Sequence, residues 1–193
     1  MDLKVIGFAL VLLVLLSGCN DAQQSEAELE AIAELKMVGE SWSLTNQELT
    51  QYGVNISEKP IVEAFGPEFG DAPTFIGYFF TIYGEDSDLA YTLYVYSDYE
   101  SANNHFKEIS TMFKKSVDTI LDESIQQNPA ILASSINETG KENLQLLYNY
   151  KNTVILMMGS SELEKNNGYA PATFLSLGKK ITQKIDKNNP FLK

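Results

Sequence analysis

Apolar residues recur every three or four positions in two long stretches of the chain, and this spacing predicts two amphipathic helices. The first helix is expected from about Tyr99 to Leu121, with Asp98 as its N-cap. The second is expected from about Pro171 to Ile185. Their inner faces consist of Ala102, Phe106, Ile109, Phe113, Val117 and Ile120 in the first, and Phe174, Leu177, Ile181 and Ile185 in the second.

Aromatic and β-branched runs bounded by turn residues predict the strands. Phe75–Tyr83 and Leu89–Ser97 flank a polar turn and predict a hairpin, while Ala130–Ile136, Leu144–Tyr150 and Thr153–Gly159 predict three further strands. Two hairpins, each followed by a helix, indicate an α+β fold. We expect an antiparallel sheet of about four to five strands, with the long amphipathic helix and the C-terminal helix packed on one face.

The region before the first hairpin carries only short signals. A capping-box pattern at residues 25–28 precedes helix-forming residues that Gly39 is expected to end. Residues 25–40 are therefore predicted to be a helix that docks on the domain or a stalk. The same pattern at residues 45–48 predicts a short helix, and Ser57–Phe65 predicts another helical turn. Residues 41–193 are predicted to form a single domain.

The first nineteen residues have the organisation of an export signal. The apolar run Val5–Leu16 is shorter than the about 20 residues that a spanning helix requires, and it suits the apolar core of a secretory signal. It ends in Leu16-Ser17-Gly18-Cys19, which contains the chain's only cysteine. This tetrapeptide resembles the bacterial lipobox, in which a leucine and two small residues precede the acceptor cysteine.

The lipobox resemblance implies how the chain is processed and where it resides. Residues 1–18 would be a cleaved signal peptide, and Cys19 would carry a diacylglycerol on its sulfur and an acyl group on its amine. Residues 19–24 would then form a lipidated tether. Two or more acyl chains give stable membrane attachment. The expected location is the outer side of the cell membrane, or its periplasmic face if the host has two membranes.

Charge and composition exclude several partners. The net charge is −12, and all fourteen basic residues are lysines. An acidic surface repels phosphates, which argues against nucleic acid and against anionic lipid headgroups as ligands. The absence of arginine also removes the side chain best suited to bidentate phosphate binding. A lone cysteine makes no intramolecular disulfide, so the fold depends on its hydrophobic core.

The sequence offers few parts for catalysis. His105 is the only histidine and lies at the flank of the predicted long helix, where a solvated side chain is the simplest interpretation. Neither a serine triad nor a zinc site of His and Cys can be assembled without further histidines. We therefore predict no catalytic residue, metal or cofactor. The alternative is a lipid-anchored envelope hydrolase that uses a pair of carboxylates, whose spacing is spatial and is not visible in sequence.

The most suggestive feature of the domain is the aromatic content of its first hairpin. If one face of the sheet is open, then Tyr78, Phe80, Tyr94 and Tyr96 form a candidate binding surface for an envelope protein, a peptide or a glycan, because aromatic residues are enriched at interfaces. The alternative is that other segments cover both faces. The expected function is a non-enzymatic binding or interaction module, held at the membrane by Cys19.

Overall fold

The computed structural model describes residues 26–56, 58–65, 75–84, 88–117, 119–136, 141–162 and 171–188. The predicted signal peptide, the tether and Cys19 lie outside the described residues. The helices of the described part are α1 (Glu26–Trp42), α2 (Asn46–Gln51), α3 (Tyr99–Ser116) and α4 (Pro171–Asn188). The strands are β1 (Ile61–Phe65), β2 (Phe75–Ile82), β3 (Leu89–Tyr96), β4 (Thr119–Ile125), β5 (Asn128–Ile136), β6 (Lys141–Tyr150) and β7 (Thr153–Glu162).

All seven strands form one antiparallel sheet in the order β1-β2-β3-β7-β6-β5-β4. The sheet therefore consists of two meanders, β1 to β3 and β4 to β7, which are joined where β3 pairs with β7. This confirms the predicted α+β class and the antiparallel sheet. The expectation of four to five strands was too low, because β1 and β4 were not predicted. These are the two edges of the sheet.

Both unpredicted strands have a physical reason for their weak signal. Ile120 continues the apolar stripe of the preceding helix, but α3 ends at Ser116 and Val117 is already extended, with φ −123° and ψ 151°. The turn after β4 consists of Gln126 and Gln127 at φ 49° and 68°. Such two-residue turns usually contain Asn and Gly, so this hairpin has no recognisable turn sequence. β1 was interpreted as a helical turn because it is short and follows a proline.

The two long helices lie on opposite faces of the sheet, and the expectation that they share one face was wrong. Successive residues of a strand point to opposite faces, and Leu146 packs in the core beneath α4 whereas Leu147 packs in the core beneath α3. The central strands are apolar on both sides because both sides are covered. We call these surfaces the α4 face and the α3 face. Helices α1 and α2 also pack on the α4 face.

Helix α1 is part of this core. Leu35 and Trp42 are buried, and the helix packs on β1 and on α4. Gly39 was expected to end the helix, but α1 continues through it to Trp42. The glycine is required by packing, since a Cβ at this position would lie 2.6 Å from Cδ1 of Tyr78 and 3.1 Å from Cγ1 of Val62. Its missing side chain lets α1 approach β1 and β2 closely.

Candidate functional site

The four aromatic residues of the predicted binding surface do not form one exposed surface. Tyr78 and Phe80 are fully buried on the α4 face, where Phe80 stacks on Tyr91 with ring centroids 4.2 Å apart. Tyr96 is buried on the α3 face, and Tyr94 is half-buried there. The pattern of alternating aromatic residues reflects a strand that is covered on both sides. The structure thus contradicts the expected surface.

His105 completes an aromatic cluster beneath α3. Its ring stacks on Tyr94 with centroids 5.3 Å apart, and its Nδ1 is hydrogen-bonded to the Tyr96 hydroxyl. Phe75 lies edge-on to the same imidazole at 6.2 Å. Burial lowers the pKa of His105, while the nearby Glu108 opposes that shift. The histidine is half-buried, not solvated as expected, and its contacts hold α3 on the sheet.

A groove of about 760 Å³ lies at the β1 corner of the molecule. It was not predicted. One wall is α1, through Lys36 and Glu40. The opposite wall is the approach to β1 and the start of the strand, residues 59–62, and the remaining wall is the α1–α2 connection with the first turn of α2, residues 43–47. Its volume lies in the range of about 300–1,000 Å³ that is typical of ligand sites.

A tyrosine of the sheet fixes the start of the wall formed by residues 43–47. The backbone N–H of Leu44 donates to the hydroxyl of Tyr91 at 3.0 Å, and that hydroxyl donates to the Trp42 carbonyl at 3.4 Å. Burial raises the pKa of Tyr91 well above its ordinary value, so the hydroxyl keeps its proton. The chain thus leaves α1 in a fixed direction, with the buried Leu44 as the floor of the groove.

The first turn of α2 is fixed by a capping box and by ion pairs to α4. The backbone N–H of Thr45 donates to Glu48 Oε2 at 2.8 Å, and the Thr45 hydroxyl accepts from the Glu48 N–H at 3.3 Å, which confirms the capping box predicted here. Glu48 also forms ion pairs with two lysines of α4: Nζ of Lys184 lies 2.9 Å from Oε2, and Nζ of Lys180 lies 3.4 Å from Oε1. Burial raises the pKa of Glu48, but the hydrogen bonds from Thr45 and Lys184 outweigh it and hold that pKa below its ordinary value.

The lining of the groove is mixed in character. Leu44, Pro60 and Ile61 supply apolar surface, and the side chains of residues 43 and 45–47 supply hydroxyl and amide groups. Two lysines and one glutamate add charge. Such a combination of apolar surface with a few polar groups suits binding of a ligand. Glu40 is the single carboxylate among the lining residues, which contain neither histidine nor cysteine.

The groove combines residues from three segments of the chain, and no sequence pattern indicates that these segments meet. Its members come from a region with only short helix signals, and β1 was not recognised as a strand. Proline at position 60 directly before a β-branched pair, Ile61-Val62, is the local signal that could have indicated an edge strand.

The described residues provide no sign of two other kinds of site. No group of three or more His, Cys, Asp or Glu side chains within them is arranged to hold a metal ion. No helix in this part of the chain is long and apolar enough to cross a membrane.

Comparisons with known proteins relate the chain to a fold and not to a family. No protein-family profile and no curated protein matches the sequence. Among solved structures, the chain is similar to the extracellular domain of PknH from Mycobacterium tuberculosis, with a TM-score of 0.55 and 9% sequence identity. The match covers 79% of this chain and 96% of that domain. At this identity the likeness concerns the fold alone: an α+β arrangement that also occurs in an extracellular domain.

Proposed function

We propose that this protein is a lipid-anchored binding module of the bacterial cell envelope, and that its ligand binds in the groove at β1. The observation that carries the proposal is the groove itself. It has the volume of a ligand site, a buried apolar floor at Leu44, and walls that are fixed by Tyr91 and Glu48. A preformed site of this kind loses little conformational entropy on binding.

Two further observations are consistent with a binding role. The solved structure with a similar fold is an extracellular domain, the setting proposed here. Hydrolysis by a carboxylate pair requires two acidic side chains that face each other, and the groove contains one, Glu40. The groove therefore favours binding over the hydrolase alternative.

The anchor is the second part of the proposal. Acylation at Cys19 would hold the domain outside the membrane, where its groove would meet ligands of the envelope. Cys19→Ala should abolish incorporation of labelled fatty acid and leave a precursor that retains residues 1–18. Unchanged labelling of the alanine variant would contradict the anchor and would leave the groove proposal standing.

Binding at the groove can be tested with a matched pair of substitutions. Ile61 lines the groove and is 45% exposed, while Met112 lies on α3, outside the groove lining, and is 58% exposed. Ile61→Glu should abolish ligand binding, and Met112→Glu should preserve it. Both introduce one charge at an exposed apolar position, so general effects on folding or solubility are matched.

The measurement is NMR of the isotope-labelled full chain in detergent, titrated with fractions of envelope extract from the producing bacterium. At least one fraction should shift the backbone amides of residues 43–47 and 59–62 in the wild type and in Met112→Glu, but not in Ile61→Glu. Shifts that appear elsewhere, or that persist in Ile61→Glu, would exclude the groove as the binding site.

A further inference from the structure

Among the described strands, the strand that borders the groove is paired on one side only. β1 stands first in the sheet order, and all five of its residues, Ile61–Phe65, pair with β2. In an antiparallel ladder, alternate residues direct their N–H and C=O groups to opposite sides. Within the described residues, the outward-directed groups of β1 have no strand partner. An edge of this kind is a template for another extended chain.

The groove adjoins this edge at the start of β1, where the strand contributes Ile61 and Val62 to the lining. Gly39 sits directly over β1 and β2. At 100° per residue, Lys36 and Glu40 lie to the same side of Gly39, about 60° and 100° around the helix. The wall that they form therefore borders the first two residues of β1.

The charge of the groove is opposite in sign to that of the whole protein. The chain has a net charge of −12, yet the lining contains Lys36 and Lys59 against a single acidic residue, Glu40. None of the three takes part in an ion pair within the described part of the chain. Two lysines without an ion-pair partner among the described residues give the lining a net positive formal charge, and low-dielectric walls strengthen the effect of such charges.

Taken together, the free edge and the charge define the ligand. We infer that the groove takes an extended, acidic peptide segment of another protein, which adds to the sheet as a strand beside β1. This inference rests on the proposed function and specifies its ligand class. Main-chain hydrogen bonds to β1 supply affinity, and alternate side chains of the peptide enter the groove, which is the general mode of β-strand addition. Lys36 and Lys59 attract acidic side chains of the segment.

The residues around β1 suit selective pairing. Pro60 lacks an N–H, so the position directly before β1 donates nothing. Glu63 is exposed on β1 outside the groove lining, so acidic side chains of the segment are expected beside Lys36 and Lys59 at the start of the strand and not beside Glu63. Natural sheets use proline and charge at an edge to prevent indiscriminate association. Here they restrict pairing to a segment whose acidic side chains lie at the lysine end of β1.

The probe for the test is a displayed library of random twelve-residue peptides, selected on the full chain in detergent. Selected peptides should be enriched in Asp and Glu and should alternate polar with apolar residues. Hydrogen exchange measured by NMR should show new protection at alternate amides of Ile61–Phe65, because only the outward-directed N–H groups gain partners. N-methylation of alternate peptide amides should abolish binding, while methylation of the other set should not.

Substitutions separate charge recognition from general effects. Lys59→Glu should weaken binding of a selected peptide by about fivefold at low salt, the upper range for one partly exposed ion pair. Lys107→Glu, at an exposed position on α3, should leave affinity within about twofold. The difference should shrink as salt is added. Equal weakening by both variants would show that net charge alone governs binding and would overturn the inference.

Three outcomes would overturn the strand-addition inference, and they bear differently on the proposed function. If no peptide is selected while an envelope fraction still shifts the groove amides, the groove binds a ligand of another class, such as a glycan. If sedimentation shows a dimer that Ile61→Glu dissociates, the occupant is a second copy of the chain. If peptides bind wild type and Ile61→Glu equally, the groove is not their site and strand addition at β1 fails, while the titration with envelope fractions still decides the proposed function.

Discussion

Gly39 of α1 lies directly against the ring of Tyr78 on β2, so closely that a Cβ on the glycine would stand 2.6 Å from the ring. Tyr78 in turn meets Trp42 edge-to-face, with centroids 5.1 Å apart. The wall of the groove that α1 provides is thus positioned by a contact that only glycine permits.

Gly39→Ala should destabilise the protein although alanine favours the helix. The gain in helix propensity is about 1 kcal/mol, whereas overpacking a core contact costs about 1–3 kcal/mol. We expect a net decrease of about 1 kcal/mol in the free energy of unfolding, measured by urea titration. Tyr78→Leu should relieve the contact, so Gly39→Ala should cost less in that background. An equal cost in both backgrounds would show that the ring is not the obstacle.

Replacing either of two buried tyrosines by phenylalanine should change the stability of the protein, but in different directions. The hydroxyl of Tyr78 is buried without a hydrogen-bond partner in the described residues, and burial strongly raises its pKa. Tyr78→Phe should be neutral or stabilising by up to about 1 kcal/mol. Tyr91→Phe removes the partner of the Leu44 N–H and should destabilise by about 1–2 kcal/mol.

Thermal unfolding of the two phenylalanine variants checks this pair directly, since the substitutions remove the same atom at similarly buried sites. Amide exchange at Leu44 should accelerate in Tyr91→Phe alone. Equal destabilisation of both variants would mean that the Tyr78 hydroxyl also has a partner.

Glu48 should give the domain a stability that depends on acidity. Its pKa is held below its ordinary value of 4.5, because the hydrogen bonds from Thr45 and Lys184 outweigh burial. The contribution is therefore fully present above pH 4.5 and is lost as the pH falls through the lowered pKa. Glu48→Gln should cost about 1 kcal/mol at pH 7 and almost nothing at the acid end.

Urea titrations of Glu48→Gln and wild type between pH 3 and pH 7 measure this difference. Glu63→Gln removes the same charge at an exposed position on β1 and is the matched control. A constant difference between Glu48→Gln and wild type across that range would refute the role of its ionisation.

His105 should produce a second, distinct pH dependence. Burial among Phe75, Tyr94 and Tyr96 lowers its pKa below the ordinary value of 6.5, although Glu108 partly opposes this. The unfolded chain then binds the proton more readily than the folded one, so stability decreases as the pH falls through 6.5. His105→Gln should remove this slope between pH 7 and pH 5.

The chain has one histidine, so the slope can be assigned to it by NMR titration of the ring. A His105 variant should retain binding at the groove, since none of the residues that contact its ring lines the groove. A slope that survives in His105→Gln would place its origin in another group.

The sequence predicted the elements in which buried positions recur with a constant spacing. The helices α3 and α4 were predicted from their stripes, and the central strands from aromatic and β-branched runs. The edges were missed because β1 and β4 receive a partner on one side only, so selection for strand-forming residues is weaker there. Gln126 and Gln127 also adopt positive φ without the usual turn residues.

The placement of the helices and the groove required three-dimensional information. Leu146 and Leu147 are both apolar, which shows that two faces are covered but does not show which helix covers each. The groove depends on Lys36, Leu44 and Ile61, which are distant in sequence and meet only because α1 packs on β1. No periodic signal connects them.

The junction between the two meanders has a consequence for how the chain acquires its structure. β3 pairs with β7, so Leu89 meets Gly159 and Val95 meets Thr153, although about sixty residues or more separate each pair. Contacts so distant in sequence carry a large loop-closure cost and slow folding. During synthesis, β3 has no second neighbour until β7 has emerged. The two meanders can therefore join only after nearly the whole domain has been synthesised, so the β3–β7 pairs are expected among the last contacts to form.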